Sequence, residues 1–107
     1  MAKKVLGQSN PSATTATTLY TVPASKEAVV SSISICNLAS SSATYRIAVR
    51  PAGASLAAQH YVVYGATVPA SDTVALTLGL TLATTDVVTV YASSANLSFN
   101  LYGSEIV

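Results

Sequence analysis

This sequence has few charged side chains, one cysteine, one histidine and no tryptophan. Charged residues make up 8% of 107, against a usual share of about 25%. Counterion release at a nucleic acid needs clustered basic groups. Only Lys3, Lys4, Lys26, Arg46 and Arg50 exist, against four acids, so no nucleic-acid partner is expected. Cys36 stands alone, which excludes an internal disulfide framework and a cysteine-based zinc site. No apolar run approaches the roughly 18 residues of a membrane helix, so no membrane partner is expected either. Met1-Ala2-Lys3-Lys4 looks like the start of an export signal, but Val5-Leu6 runs straight into Gly7-Gln8-Ser9-Asn10-Pro11. The expectation is a soluble protein made in the cytoplasm and not exported.

What is present points to one packed domain. Hydrophobic residues reach 50% with a net charge of +1, the reverse of a disordered composition. A chain this long buries roughly two thirds of its unfolded surface. Fifteen Ser and thirteen Thr supply the polar surface that charges usually supply. A surface with so little charge associates readily, because repulsion between copies is weak. That suits a subunit packed against others.

Residues 1–16 show no clear period and read as an extended N-terminal arm. Residues 17–107 read as a β-sandwich domain, because short alternating runs begin at Thr17. The runs are 17–22, 27–37, 43–50, 61–64, 74–80, 87–92 and 97–102. In the second, Val29, Ile33 and Ile35 share one face, and Ala28, Val30, Ser32, Ser34 and Cys36 the other; Cys36 reads as a buried small hydrophobe. The third alternates cleanly, with Ala43, Tyr45, Ile47 and Val49 opposite Thr44, Arg46, Ala48 and Arg50. Residues 54–59 fit a helical turn or a loop excursion. Val-Pro-Ala-Ser occurs at 22–25 and 68–71, each time where a run ends, and reads as a repeated turn type. Short strands of even spacing, rich in Val, Thr and Ile, predict a small antiparallel all-β sandwich of seven to eight strands, jelly-roll or immunoglobulin-like.

The inventory for chemistry is thin. A serine triad would have to use His60 with Asp72 or Asp86, and no Gly-x-Ser-x-Gly elbow exists. Glu27, Asp72, Asp86 and Glu105 are scattered, so no metal set is expected. The five glycines never form a phosphate cradle, and no cofactor is expected. The reading is a protein without enzymatic activity. Tyr61 and Tyr64, three apart, face opposite ways on a regular strand, so one meets solvent or a partner. Tyr20, Tyr45, Tyr91 and Tyr102 read as core-edge residues with wet hydroxyls. Arg46 and Arg50 share one face and suit carboxylates of a neighbouring subunit. Lys3 and Lys4, with Val5 and Leu6, suit an arm that grips a neighbour.

Several segments together resemble a family of short virion proteins of tailed bacteriophages, including phages of cyanobacteria. They are Lys4-Val5-Leu6-Gly7-Gln8, Leu19-Tyr20-Thr21-Val22-Pro23-Ala24, and the run from Tyr45 through Arg46-Ile47-Ala48-Val49-Arg50-Pro51-Ala52-Gly53 to Ala54. His60-Tyr61, Leu80-Thr81-Leu82, Asp86-Val87-Val88, Leu97-Ser98-Phe99 and the closing Tyr102-Gly103-Ser104-Glu105-Ile106 complete the set. The resemblance spans essentially the whole chain and carries no catalytic residue. It implies a structural virion subunit: a capsid decoration (cement) protein on the head shell, or an accessory of the neck, tail or baseplate. The partners so implied are the major capsid protein or other virion subunits; packing at symmetric lattice positions suits self-association into homo-oligomers such as trimers. Carbohydrate is the competing ligand, through exposed tyrosines with Gln59, Asn96 or Asn100.

Overall fold

The computed structural model describes residues 3–106. Nine strands follow in order: β1 (Lys3–Ser9), β2 (Thr17–Thr21), β3 (Glu27–Asn37), β4 (Ala43–Arg50), β5 (Tyr61–Val68), β6 (Thr73–Leu76), β7 (Leu80–Leu82), β8 (Val87–Ala92) and β9 (Leu97–Ile106). Residues 54–59 contain no α-helix. Two short 3-10 turns, Pro51–Gly53 and Ala58–His60, shape the connection from β4 to β5.

The strands form two antiparallel sheets. One runs β1-β9-β3-β6, with β7 also on β3; the other runs β2-β8-β4-β5. β6 pairs along Ile33 to Cys36 and β7 along Ala28 to Val30, so the two act as one interrupted strand beside β3. The expected run 74–80 therefore splits, with Gly79 in the gap at positive φ. Only β4 and β5 form a hairpin of consecutive strands; most other connections cross between the sheets. That order is a jelly roll, a small all-β sandwich of two facing sheets. It decides between the two sandwich types left open by the sequence.

The core lies between the sheets. Ile33, Ile35, Leu97, Phe99 and Leu101 face Tyr45, Ile47, Val88 and Val90. Tyr45 meets Phe99 edge to face, with ring centroids 6.3 Å apart, a favoured aromatic geometry. At the end of β3, buried Asn37 donates from Nδ2 to the carbonyls of Ser41 and Val68 and accepts from the Ala39 N–H. A buried amide with its valences met holds two loops without a desolvation penalty. The repeated Val-Pro-Ala-Ser turns share a conformation: Val22 and Val68 are buried, and Ser25 and Ser71 both take positive φ.

β-Bulges alter the faces that simple alternation predicts. On β3 the pairing with β9 shifts between Val30 and Ser32. An extra residue in one strand reverses the inward set. Ala28 and Val30 therefore point inward together with Ile33 and Ile35, while Val29 is exposed. Cys36, expected to be buried, is only half-buried on the outer side.

The N-terminal segment is extended, and its partner is this chain's own sheet. Residues Lys3 to Ser9 pair with β9, and Leu6 packs against the core. Backbone pairing and a half-buried leucine explain why this stretch joins the sandwich. Met1 and Ala2 of the expected arm, and Val107 of the expected domain, lie outside the described residues. Gly7 faces the Leu19 carbonyl so closely that a Cβ would collide with it, which lets β1 close onto β2.

Candidate functional site

The outer face of the β2-β8-β4-β5 sheet carries a ladder of aromatic rings around one cation. Arg46 on β4 is in register with Tyr91 on β8 and with Tyr64 on β5. Directly opposed residues on one face of an antiparallel sheet lie close enough for side-chain contact. The Arg46 guanidinium carbon sits 4.1 Å from the Tyr91 ring centroid and 4.2 Å from that of Tyr64. Both distances are well inside the reach of a cation–π interaction. Tyr64 is 65% exposed, Arg46 and Tyr91 about half-buried.

Tyr61 extends the ladder. Its ring meets Tyr64 edge to face, with centroids 4.9 Å apart and planes at 87°. A regular strand would put these residues on opposite faces. Here the β4–β5 register shifts between Ile47 and Ala48, with Val63 and Tyr61 as their partners, leaving Val62 as the extra residue. The bulge swings Tyr61 to the side of Tyr64. A second shift, between Tyr45 and Arg46, sits at Gly65, whose φ is +79°. Two bulges on β5 also spoil its outer edge as a template for strand pairing.

Next to the ladder is an open pocket of about 530 Å³, lined by Leu56, Ala57, Ala58, Tyr61 and Tyr64. That volume lies in the range of small-molecule and side-chain pockets. Its wall is the β4–β5 connection, which internal bonds hold in place. Arg50 donates from Nε to Thr89 Oγ1 at 3.0 Å and from Nη1 to the carbonyls of Gly53 and Ala54. Asp86 accepts from the Ala52 N–H at 2.9 Å and the Ala83 N–H at 2.9 Å. His60 is buried at the end of the last turn, and its Nδ1 accepts the Ala57 N–H at 3.0 Å. His60 is thus covered, and with Asp86 it supports the pocket wall.

The expected site residues therefore divide. Arg46, Tyr61 and Tyr64 come together. Arg50 shares their face, but its donors hold the loop. Lys4 sits 2.6 Å from Glu105 and Lys26 3.8 Å from the same carboxylate. Tyr20, whose hydroxyl was expected to be wet, is buried and donates to Glu105 at 2.6 Å. The Lys4 ammonium and the Tyr20 hydroxyl hold the Glu105 carboxyl below its ordinary value. Burial, and then Glu105, push the Tyr20 hydroxyl well above its own. Lys3 and Val5 are exposed on β1, and Leu6 is half-buried. The possible sugar ligands do not assemble: Asn100 is on β9 of the other sheet and accepts from Gln8, and only Gln59 lies in the pocket wall region.

Sequence reasoning missed Tyr91, Leu56, Ala57 and Ala58. Tyr91 joins Arg46 only through the β4–β8 register, which no local pattern encodes. The signal within reach was Leu56, a large apolar residue in a loop otherwise made of small and polar ones. Among the described residues, no group of three or more His, Cys, Asp or Glu side chains converges as a metal site would need. Compared with known proteins, the chain matches no family model, no curated protein and no solved structure.

Proposed function

We propose that this chain is a non-enzymatic structural subunit of a phage virion, and specifically a capsid decoration subunit that binds and stabilises the head shell. The observation that carries the reading is the exposed Tyr–Arg–Tyr face beside an apolar pocket. Interface cores are enriched in Tyr and Arg and depleted of Lys, Glu and Asp, and this face has that composition. The whole-chain resemblance to short virion proteins supports it. The jelly roll supports it more weakly, since that architecture serves viral capsids and lectins alike and a fold does not fix a function. The engagement of His60 and Asp86 in backbone hydrogen bonds supports a role without catalysis. Many copies on a lattice would bind with avidity although each contributes a modest interface.

An antibody to the purified protein, gold-labelled and imaged on intact virions by electron microscopy, tests this reading. Gold over the heads is the expected result, with loss of resistance to heat or osmotic shock in particles lacking the protein. Gold at the neck, tail or baseplate would move the role to the tail machine. That second reading, with a carbohydrate or host-surface ligand, is favoured by Tyr64, whose exposed ring suits sugar stacking. A glycan array separates the two, and no binding at high protein concentration removes the sugar. Absence of gold from virions altogether would overturn the proposal.

A further inference from the structure

The Tyr–Arg–Tyr face also says what its partner carries. This inference rests on the structural-subunit reading and names the chemistry of the docking partner. Two guanidinium groups, Arg46 and Arg50, lie on this outer face, and among the described residues neither forms an ion pair. Arg50 directs Nε and Nη1 to Thr89, Gly53 and Ala54. The Arg46 side chain makes no hydrogen bond among the described residues, and its guanidinium carbon lies over both the Tyr64 and the Tyr91 rings, 4.2 and 4.1 Å from their centroids. A guanidinium that contacts aromatic rings and donates no internal hydrogen bond keeps its N–H groups for an outside acceptor. Those N–H groups match a carboxylate in a two-point arrangement.

We propose that this face receives an acidic protein segment that sets a carboxylate on Arg46 and an aromatic or branched aliphatic side chain in the adjacent pocket. Charge complementarity argues for the acid, because among the described residues neither guanidinium of this face has a carboxylate within ion-pair distance. The pocket argues for the anchor. Its lining of Leu56, Ala57, Ala58, Tyr61 and Tyr64 is apolar, and its volume of about 530 Å³ accepts one large side chain. An apolar pocket beside tyrosines and an arginine has the composition in which interface hot spots are enriched. A nucleic acid fits less well, since two arginines make no cationic track for a phosphate backbone. A second copy of this chain fits less well too. Of its four acids, Glu105 and Asp86 are engaged in internal bonds and Asp72 accepts the Thr73 N–H, which leaves only Glu27, at the start of β3 on the other sheet, with no side-chain bond among the described residues.

The test uses the full chain, labelled with 15N, and an acetylated hexapeptide that alternates phenylalanine with glutamate. A second peptide replaces each glutamate by glutamine. The expected result is chemical-shift change confined to Arg46 Nε–H and the amides around Leu56, Ala57, Tyr61, Tyr64 and Tyr91. Binding should be at least tenfold weaker for the glutamine peptide, for Arg46→Glu and for Tyr64→Ala, and should weaken as salt is raised. Arg46→Lys, which keeps the charge but loses the planar fork, should also bind more weakly. Thr81→Lys, on the opposite sheet, should bind like the parent. No shift change at millimolar peptide, or equal binding of both peptides, overturns the inference. So does tighter binding of a single-stranded oligonucleotide, or a concentration-dependent dimer abolished by Arg46→Glu. Binding to virion heads stripped of the protein is measured in parallel. Stripped heads that bind Arg46→Glu as well as the parent would remove the inference and leave the subunit reading standing. Stripped heads that bind neither, with the peptide result intact, would remove the subunit reading instead.

Discussion

The two ends of the sheet stack treat their few charges in opposite ways. Along the side where β1 meets β2, charge is consumed: Glu105 takes Lys4, Lys26 and the Tyr20 hydroxyl. On the β8-β4-β5 face, charge is displayed: Arg46 is braced by two tyrosine rings and has no carboxylate partner among the described residues. The closed side ties the N-terminal strand to the sandwich through a glycine contact, a half-buried leucine and an ionic cluster. The open face rests on a bulged strand and a bonded loop that stabilise an outward-looking pocket. In a chain with nine charged residues, the placement of each neutralising partner separates groups that hold the fold from groups free to meet another molecule.

Substitutions should break the closed side before they touch the open face. Gly103→Ala is expected to have the largest effect. A Cβ there would run into the Val29 carbonyl at the β3–β9 bulge, where backbone cannot easily yield. Overpacking of this kind costs about 3 kcal/mol, which would lower Tm by roughly 10–20 °C in a domain of this size. Gly7→Ala should cost somewhat less, about 2 kcal/mol, because β1 is an edge strand and can shift away from Leu19. Thermal unfolding followed by circular dichroism checks both, and an unchanged Tm for Gly103→Ala would mean the bulge is not as tight as described.

The ionic cluster predicts a pH dependence with a definite sign at each end. Glu105 is held below its ordinary value of 4.5. The unfolded chain therefore takes up that proton first as pH falls. The stabilisation is complete above about 4.5 and is lost as pH falls through the lower folded-state value. Tyr20 is raised above its ordinary value of 10.0. The unfolded chain loses that proton first as pH rises, so stability declines from about pH 10 upward. Glu105→Gln should lower Tm near neutral pH and flatten the acid limb of a Tm–pH curve. Tyr20→Phe should flatten the alkaline limb. Curves that keep both limbs in these variants would assign the pH dependence elsewhere.

The smallest stability effect should come from the open face. Arg46→Lys and Tyr64→Ala remove stacking at a largely exposed site, where a cation–π contact contributes about 0.5–1 kcal/mol. Tm should fall by only a few degrees, while peptide binding falls tenfold or more. Equal losses of stability and binding would erase the distinction between the two regions. A large binding loss with a near-parental Tm would sharpen it.

Much of the sandwich was legible from alternation and turn residues. Residues 27–37, 43–50 and 87–92 are strands with the expected limits, because β-branched runs bounded by Pro, Asn and Ser leave little choice. β1 was less legible. Its only inward side chain of any size is Leu6, and five of its residues are polar or glycine, so no period emerges. The site was legible in part. Arg46, Tyr61 and Tyr64 stood out as types, but their assembly was not visible. Alternation placed Tyr61 and Tyr64 on opposite faces, and a bulge at Val62 put them together.

By itself, the sequence determined an all-β chain with a nearly uncharged surface and very few groups able to do chemistry. Those properties follow from composition and from a two-residue period, which are local. The tertiary structure alone decided the jelly-roll order, the inward set of β3, the loss of Lys4 to Glu105 and the contact of Arg46 with Tyr64 and Tyr91. Each depends on which distant strands pair and on where one extra residue slips into a ladder. A single slip reverses every side chain beyond it, and only the packed partner strand determines where that slip falls.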